Sequence, residues 1–283
     1  QERELNGRID ESIRWESKAL RIDPRSPSYY TSIGRAYSAL GDPEMALAYF
    51  DVARRIVAPD NRPLQNEMLL EQATIRLISG KGGPSQSAEL AALLSESRSF
   101  NSIGLGTLID FEAGRPEDAL ARIEAITPRC FTADSFETTN QYCPTELVRV
   151  YQKLGDHAAA RDLADEIIRY LKLWADGVPW DGYRAQYAGA LAAAGQSDEA
   201  LGVLESLVSS GWRGNYYFFL RFALYFDVNS DAIRDDERFQ AIAAVIEADM
   251  AQQLENVREM ERNGEIPTLE EVRQMTAAAT DTL

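Results

Sequence analysis

The chain has 283 residues, a formal net charge of −16, 45% hydrophobic and 26% charged residues, one His and two Cys. Its length allows one large domain or two small ones. The acidity excludes attraction to bulk nucleic acid or anionic lipid, and so few His and Cys leave little material for a zinc site.

In chain order, the first residue is Gln1, no signal peptide follows it, and the chain starts inside a structural unit. It is therefore expected to be a piece of a longer protein, compatible with a membrane anchor upstream. The longest apolar run, Tyr216 to Phe226, contains Arg221 and is shorter than the ~18 residues of a membrane span.

A repeat governs the first two hundred residues. Asn6-Gly7-Arg8-Ile9-Asp10-Glu11-Ser12 recurs as Leu40-Gly41-Asp42-Pro43-Glu44-Met45-Ala46. It returns as Ala113-Gly114-Arg115-Pro116-Glu117-Asp118-Ala119, then from Leu154-Gly155 to Ala160, then from Ala194-Gly195 to Ala200. Each copy has a helix end, a Gly, a short polar turn and a new helix. Gly7 to Gly41 spans 34 residues, Gly41 to a weaker copy at Gly80 spans 39, and Gly80 to Gly114 spans 34 again. Intervals of 41 and 40 follow. One such hairpin cannot bury its apolar face, so neighbours must stack.

The best copy runs from Ser28 to Pro59, with Tyr30, Ile33, Gly34, Tyr37 and Leu40 on its first helix and Ala46, Phe50 and Ala53 on its second. This pattern resembles the tetratricopeptide repeat, a 34-residue helix-turn-helix. The preceding Ala19-Leu20-Arg21-Ile22-Asp23-Pro24 matches the end of a second helix whose partner is missing or reduced to Gln1–Leu5. The resemblance implies an all-α fold: a right-handed α-solenoid of stacked hairpins over residues 1–210, its concave face lined by first helices. Residues 211–283 are expected to add C-terminal capping helices to the same structural unit.

The widened loop before the fourth repeat has no helical periodicity and carries Cys130 and Cys143. A disulfide between them, expected from this spacing, would contribute ~3 kcal/mol by restricting the unfolded chain and would imply an oxidising, periplasmic or otherwise extracytoplasmic compartment. The alternative is two buried thiols in a cytoplasmic protein.

After Val208 the repeat ends. Trp212 to Phe226 holds eight aromatic residues in fifteen, expected to cover the end of the array. Ile233-Arg234-Asp235-Asp236-Glu237-Arg238-Phe239 resembles the closing turn of repeat arrays appended to bacterial adenylate cyclases and membrane-anchored winged-helix regulators. From Asp235 onward Phe239, Ile242, Ile246, Met250, Leu254 and Val257 form a continuous helical stripe. That helix, residues 235–262, is expected to cover the last repeat or to pair with a second copy as a homodimer. Asn263-Gly264 should end it, and Thr268 with Glu271 forms a capping box that starts a last helix near Leu269. Residues 227–283 carry 14 acids and 5 Arg, more than half of the net charge.

Little here points to catalysis. His157 sits in a polar turn with no nucleophile arranged around it by the motif, and Lys81-Gly82-Gly83-Pro84 lacks the phosphate-loop spacing. No catalytic residue, cofactor or metal is expected. The family resemblance instead carries partner contacts onto outward-turned first-helix positions. These are Ser28, Thr31, Arg35 and Ser38 in the best repeat, and Tyr142, Thr145, Arg149, Gln152 and Lys153 in the fourth. In the fifth they are Gly182, Ala185, Gly189 and Ala192, a nearly bare wall. Arg149 and Lys153, one turn apart, are the expected receptors for a carboxylate, or else pair with acids of a neighbouring helix. The expected function is a non-enzymatic scaffold that holds a protein or peptide in the concave groove and serves as the sensory or partner-binding part of a larger bacterial regulator. The alternatives are a regulatory appendage of an enzyme such as a nucleotide cyclase, and a self-assembly module.

Overall fold

A computed structural model describes residues 7–80, 90, 93–94, 103–128, 145–177, 181–213 and 228–280. The fold is a helical repeat solenoid. The described chain begins with α1 (Ile9–Ile22), α2 (Pro27–Leu40), α3 (Pro43–Ile56) and α4 (Arg62–Ile78). Next come α5 (Ile103–Glu112), α6 (Pro116–Ile126), α7 (Glu146–Leu154), α8 (His157–Gly177), α9 (Asp181–Ala193) and α10 (Ser197–Ser209). A 3-10 turn at Val228–Ser230, α11 (Glu237–Arg262) and α12 (Leu269–Thr280) complete the described chain.

The repeating glycines set the hairpins. Gly7, Gly41, Gly80, Gly114, Gly155 and Gly195 all have φ between 67° and 86°, the left-handed region that only glycine enters without strain. At Gly41 the Gly N–H reaches the Ser38 carbonyl and the next N–H, of Asp42, reaches back to Tyr37. The same pair recurs at Gly114, Gly155 and Gly195. These bonds satisfy the carbonyls left open at the helix end. The new helix then starts at once: Asp42 Oδ1 accepts from the Met45 N–H at 3.0 Å, and Asp156 Oδ1 from Ala159 at 3.0 Å.

The chain divides into two compact units, neither of which is continuous in sequence. One comprises residues 1–93, 213–221 and 245–283; the other comprises 94–212 and 222–244. The expected division, with an array over 1–210 and a cap from 211, runs across both units.

In the first unit α1, α2, α3 and α4 pack in sequence. Gly34 lets α2 approach α3 so closely that a Cβ there would stand 2.9 Å from the Phe50 ring. Tyr37 stacks on Tyr49 at 5.7 Å between ring centroids, and both are fully buried. α11 from Val245 onward and α12 belong to this same unit. α12 packs on α3, with Val272 and Ile266 buried. Gln253 of α11 caps α1 from outside, its Oε1 accepting from the N–H groups of Ile9 (2.7 Å) and Asp10 (3.2 Å) while its Nε2 donates to the Gly7 carbonyl (2.7 Å). These are the donors a helix N-terminus leaves open, and Arg8 provides no side-chain cap. Tyr37 donates to Glu261, and Arg258 bridges Glu261 and Asp42.

In the second unit the hairpins α5–α6, α7–α8 and α9–α10 stack, with α6 on α7 and α8 on α9. Ile103, Ala119, Ile123, Leu147 and Val150 form one core cluster, flanked by Phe111 and Tyr151. Phe239 and Ile242 at the start of α11 are buried in this unit. Arg238 beside them forks onto Glu205 of α10 at 2.8 and 2.9 Å.

The end signals of the tail stand as expected. Gly264 has φ 69° and closes α11, and Thr268 and Glu271 hold each other reciprocally at the start of α12. α11 begins at Glu237, two residues after the expected start. Most of its apolar stripe is used within the chain: Phe239, Ile242, Ile246, Met250 and Val257 are buried, while Leu254 is half-buried. Cys130, Cys143 and the aromatic run beyond Arg213 lie outside the described residues. Trp212, at its start, is buried.

Candidate partner-binding face

The turn glycine gives each hairpin a common register. Arg35 stands six residues before Gly41, and Arg149 six before Gly155. Both are on first helices and both are paired, in different ways.

Arg35 reaches along the row of first helices to α4. Its Nε donates to Glu71 Oε2 at 2.8 Å, its Nη2 donates to Glu71 Oε1, and Glu67 lies 3.8 Å away. Burial pushes the Glu71 carboxyl above its usual range, and Arg35 pulls it back. Burial likewise opposes the Arg35 charge, but Glu71 and Glu67 more than offset it. Ser38 and Thr31 are buried, the Thr31 hydroxyl donating to the Ser28 carbonyl at 3.0 Å. Of these four expected contact positions, only Ser28 is exposed.

In the second unit Thr145 is buried at the start of α7, and Tyr142 lies outside the described residues. Arg149 and Lys153 do not converge. The Lys153 ammonium sits 5.8 Å from the centroid of Phe111 on α5. Arg149 turns instead to the segment that follows the aromatic run. Its Nε donates to the Val228 carbonyl at 3.1 Å, and its Nη2 lies 3.3 Å from Asp231 Oδ2. Its Nη1 donates to Gln152 Oε1 at 2.5 Å, while Gln152 Nε2 donates to the Ala193 carbonyl at 2.8 Å.

The 3-10 turn Val228–Ser230 packs against α5, α7 and α9, all three first helices of this unit. Val228 and Asn229 are buried. The bare wall of the fifth repeat makes room for them: a Cβ on Gly189 would lie 4.0 Å from Asn229 Cβ, and Ala192 is fully buried. Sequence reasoning missed this turn, which has no periodicity. The small residues at Gly189 and Ala192 were its only signal.

His157 is exposed at the start of α8. Among the described residues no group of three or more His, Cys, Asp or Glu could hold a metal ion, and no helix is long and apolar enough to cross a membrane.

Family comparison agrees with this register. One tetratricopeptide-repeat model matches residues 27–51, the hairpin α2–α3, and a second matches residues 145–166 and 182–206, the hairpins α7–α8 and α9–α10. The chain carries tetratricopeptide repeats. Such repeats generally mediate protein–protein interaction, and proteins built from them are typically non-catalytic scaffolds. No curated protein matches the chain.

Proposed function

We propose that this chain is a non-catalytic scaffold whose first-helix faces bind a protein or peptide partner, and that it serves a larger bacterial regulatory protein as its sensory or partner-binding part. The observation that carries the reading is the shared register of Arg35 and Arg149. One first helix in each unit carries an arginine at this register, whereas Thr74, Leu108 and Gly189 hold it in the other three. The regulatory context is supported by the closing sequence Ile233–Phe239, with Ile233 and Phe239 buried and Arg238 anchored on α10. An extracytoplasmic location is supported by the spacing of Cys130 and Cys143.

The test is site-specific photocrosslinking in cells of origin. A photoreactive residue at Ser28 or Ala185, on first helices, is expected to give a discrete adduct with one partner. The same residue at Glu166, on the second helix α8, is expected to give none. Equal adducts from both helix classes, or none from either, would overturn the binding face. Thiol titration of the unfolded, unreduced protein is expected to find no free thiol; two free thiols would remove the support for an oxidising compartment.

A further inference from the structure

We propose that the turn Val228–Asp231 is a built-in occupant of the second unit's binding face. The partner that replaces it is an acidic segment folded into one 3-10 turn, with an apolar side chain three residues ahead of a carboxylate. This rests on the reading that the first-helix face is the binding face.

The turn is placed as a bound peptide would be. It lies outside the repeat, touches α5, α7 and α9 together, buries Val228, and presents the Val228 carbonyl and the Asp231 carboxylate to one arginine. A guanidinium that receives a carbonyl and a carboxylate from a single short turn is a receptor for an acidic chain folded in the same way. Gly189 lies opposite Asn229, where a Cβ would stand at an ordinary contact distance of 4.0 Å.

Three features make the occupant replaceable. The receptor is organised without it: Gln152 holds Arg149 on one side and the Ala193 carbonyl on the other. The departing carboxylate keeps a counter-ion, because Arg234 on the same segment donates to Asp231 Oδ1 at 2.8 Å. The Arg149–Asp231 pair is also open to water, with the Asp231 side chain 36% exposed, so it is screened and weak. The net charge of −16 repels an acidic partner at long range. Association is therefore expected to quicken as salt rises.

The test uses the full chain and a fluorescein-labelled peptide of its own residues 228–235, read by anisotropy. Asp231→Ala in the chain is expected to tighten peptide binding about fivefold or more, by removing the internal competitor's charge-assisted bond. Adding Arg149→Ala is expected to abolish binding, as is replacing the peptide's first aspartate by asparagine. Hydrogen exchange on the unmodified chain gives a second readout that needs no variant. Amides of 229–233 are expected to exchange about tenfold or more faster than those of α7 and α9, through local opening. Exchange in step with α7 and α9, or peptide binding that no variant improves, would make the turn a fixed part of the core and overturn the proposal. Crosslinks from Ser28 in the first unit would leave the scaffold reading standing in that event, so the two failures are distinguishable.

Discussion

The hairpins α2–α3 and α7–α8, one in each unit, solve the same packing problem with opposite residues. Seven residues before the turn glycine stands Gly34 in one and Val148 in the other; nine residues after it stand Phe50 and Ala164. All four positions are buried or, at Gly34, closed over by the partner ring. Where the first helix is bare the second supplies a large ring, and where the first is branched the second is small. The repeat fixes the volume shared across the helix pair, not the residue at either position.

The largest expected effects follow from that exchange. Phe50→Ala should cost about 3–5 kcal/mol by emptying the crossing. Gly34→Val should cost ~1–3 kcal/mol or more, since its Cβ would meet the Phe50 ring at 2.9 Å. The double variant copies the α7–α8 solution, and urea unfolding should show it losing at least ~1 kcal/mol less than the sum of the two. Additive losses would show that the two crossings are not equivalent.

Gln253 tests a contrast of a different kind. The first unit closes α1 with a side chain 244 residues away along the sequence, whereas in the second unit Asp156 caps its own helix locally. Gln253→Ala leaves two buried N–H groups and one carbonyl without that partner, an expected loss of ~2–4 kcal/mol. Hydrogen exchange should place the loss first in the amides at the start of α1. Loss spread evenly over the chain would mean that the cap does not hold α1 in particular.

The two arginines differ in what their removal uncovers. Arg35→Ala strips a buried carboxylate of its counter-ion, and about 2–3 kcal/mol should be lost at neutral pH. Glu71 already has a raised folded pKa because burial disfavours its charge, and the variant should raise it further. A raised carboxyl favours folding while protonated, so that contribution is complete below the usual value of 4.5 and disappears as pH climbs through the folded value. The gap between variant and wild type should therefore be small near pH 4 and widen towards pH 7. A gap that is flat with pH would mean that water reaches Glu71 once Arg35 is gone.

How much of this was legible depends on range along the chain. Everything local was readable: the glycine turns, the proline at the start of α3, the end of α11 at Gly264 and the box at Thr268–Glu271. Each is decided by residues within one helical turn of one another. The position of each first-helix residue relative to its turn glycine was readable for the same reason. What each face residue touches was not. Arg149 and Lys153, one turn apart on α7, diverge to Val228 and Phe111, because neighbours distant in sequence set their directions. The tail's periodicity showed an apolar stripe, but period alone cannot name its cover. The stripe starts in the second unit at Phe239 and continues into the first at Ile246.

The smallest expected effect lies in that tail. At the start of α12 the N–H and the hydroxyl of Thr268 both donate to Glu271 Oε2, at 2.7 and 2.9 Å, and the Glu271 N–H returns to the Thr268 hydroxyl at 3.4 Å. Thr268→Ala should cost ~1 kcal/mol. The Thr268 N–H and hydroxyl together hold the Glu271 carboxyl below its usual value of 4.5. A depressed carboxyl stabilises the fold only while ionised, so its contribution is complete above 4.5 and fades as pH falls through the lower folded value. Glu271→Gln keeps an acceptor but cannot titrate, and its stability relative to wild type should rise as pH drops below 4.5. This runs opposite to Arg35→Ala only in its cause: acid protonates a carboxylate that the fold prefers charged at Glu271, and one that it prefers neutral at Glu71. Thermal unfolding of the two variants from pH 3 to pH 7 reads both, and a Glu271→Gln curve parallel to wild type throughout would show that the box does not hold its carboxylate in solution.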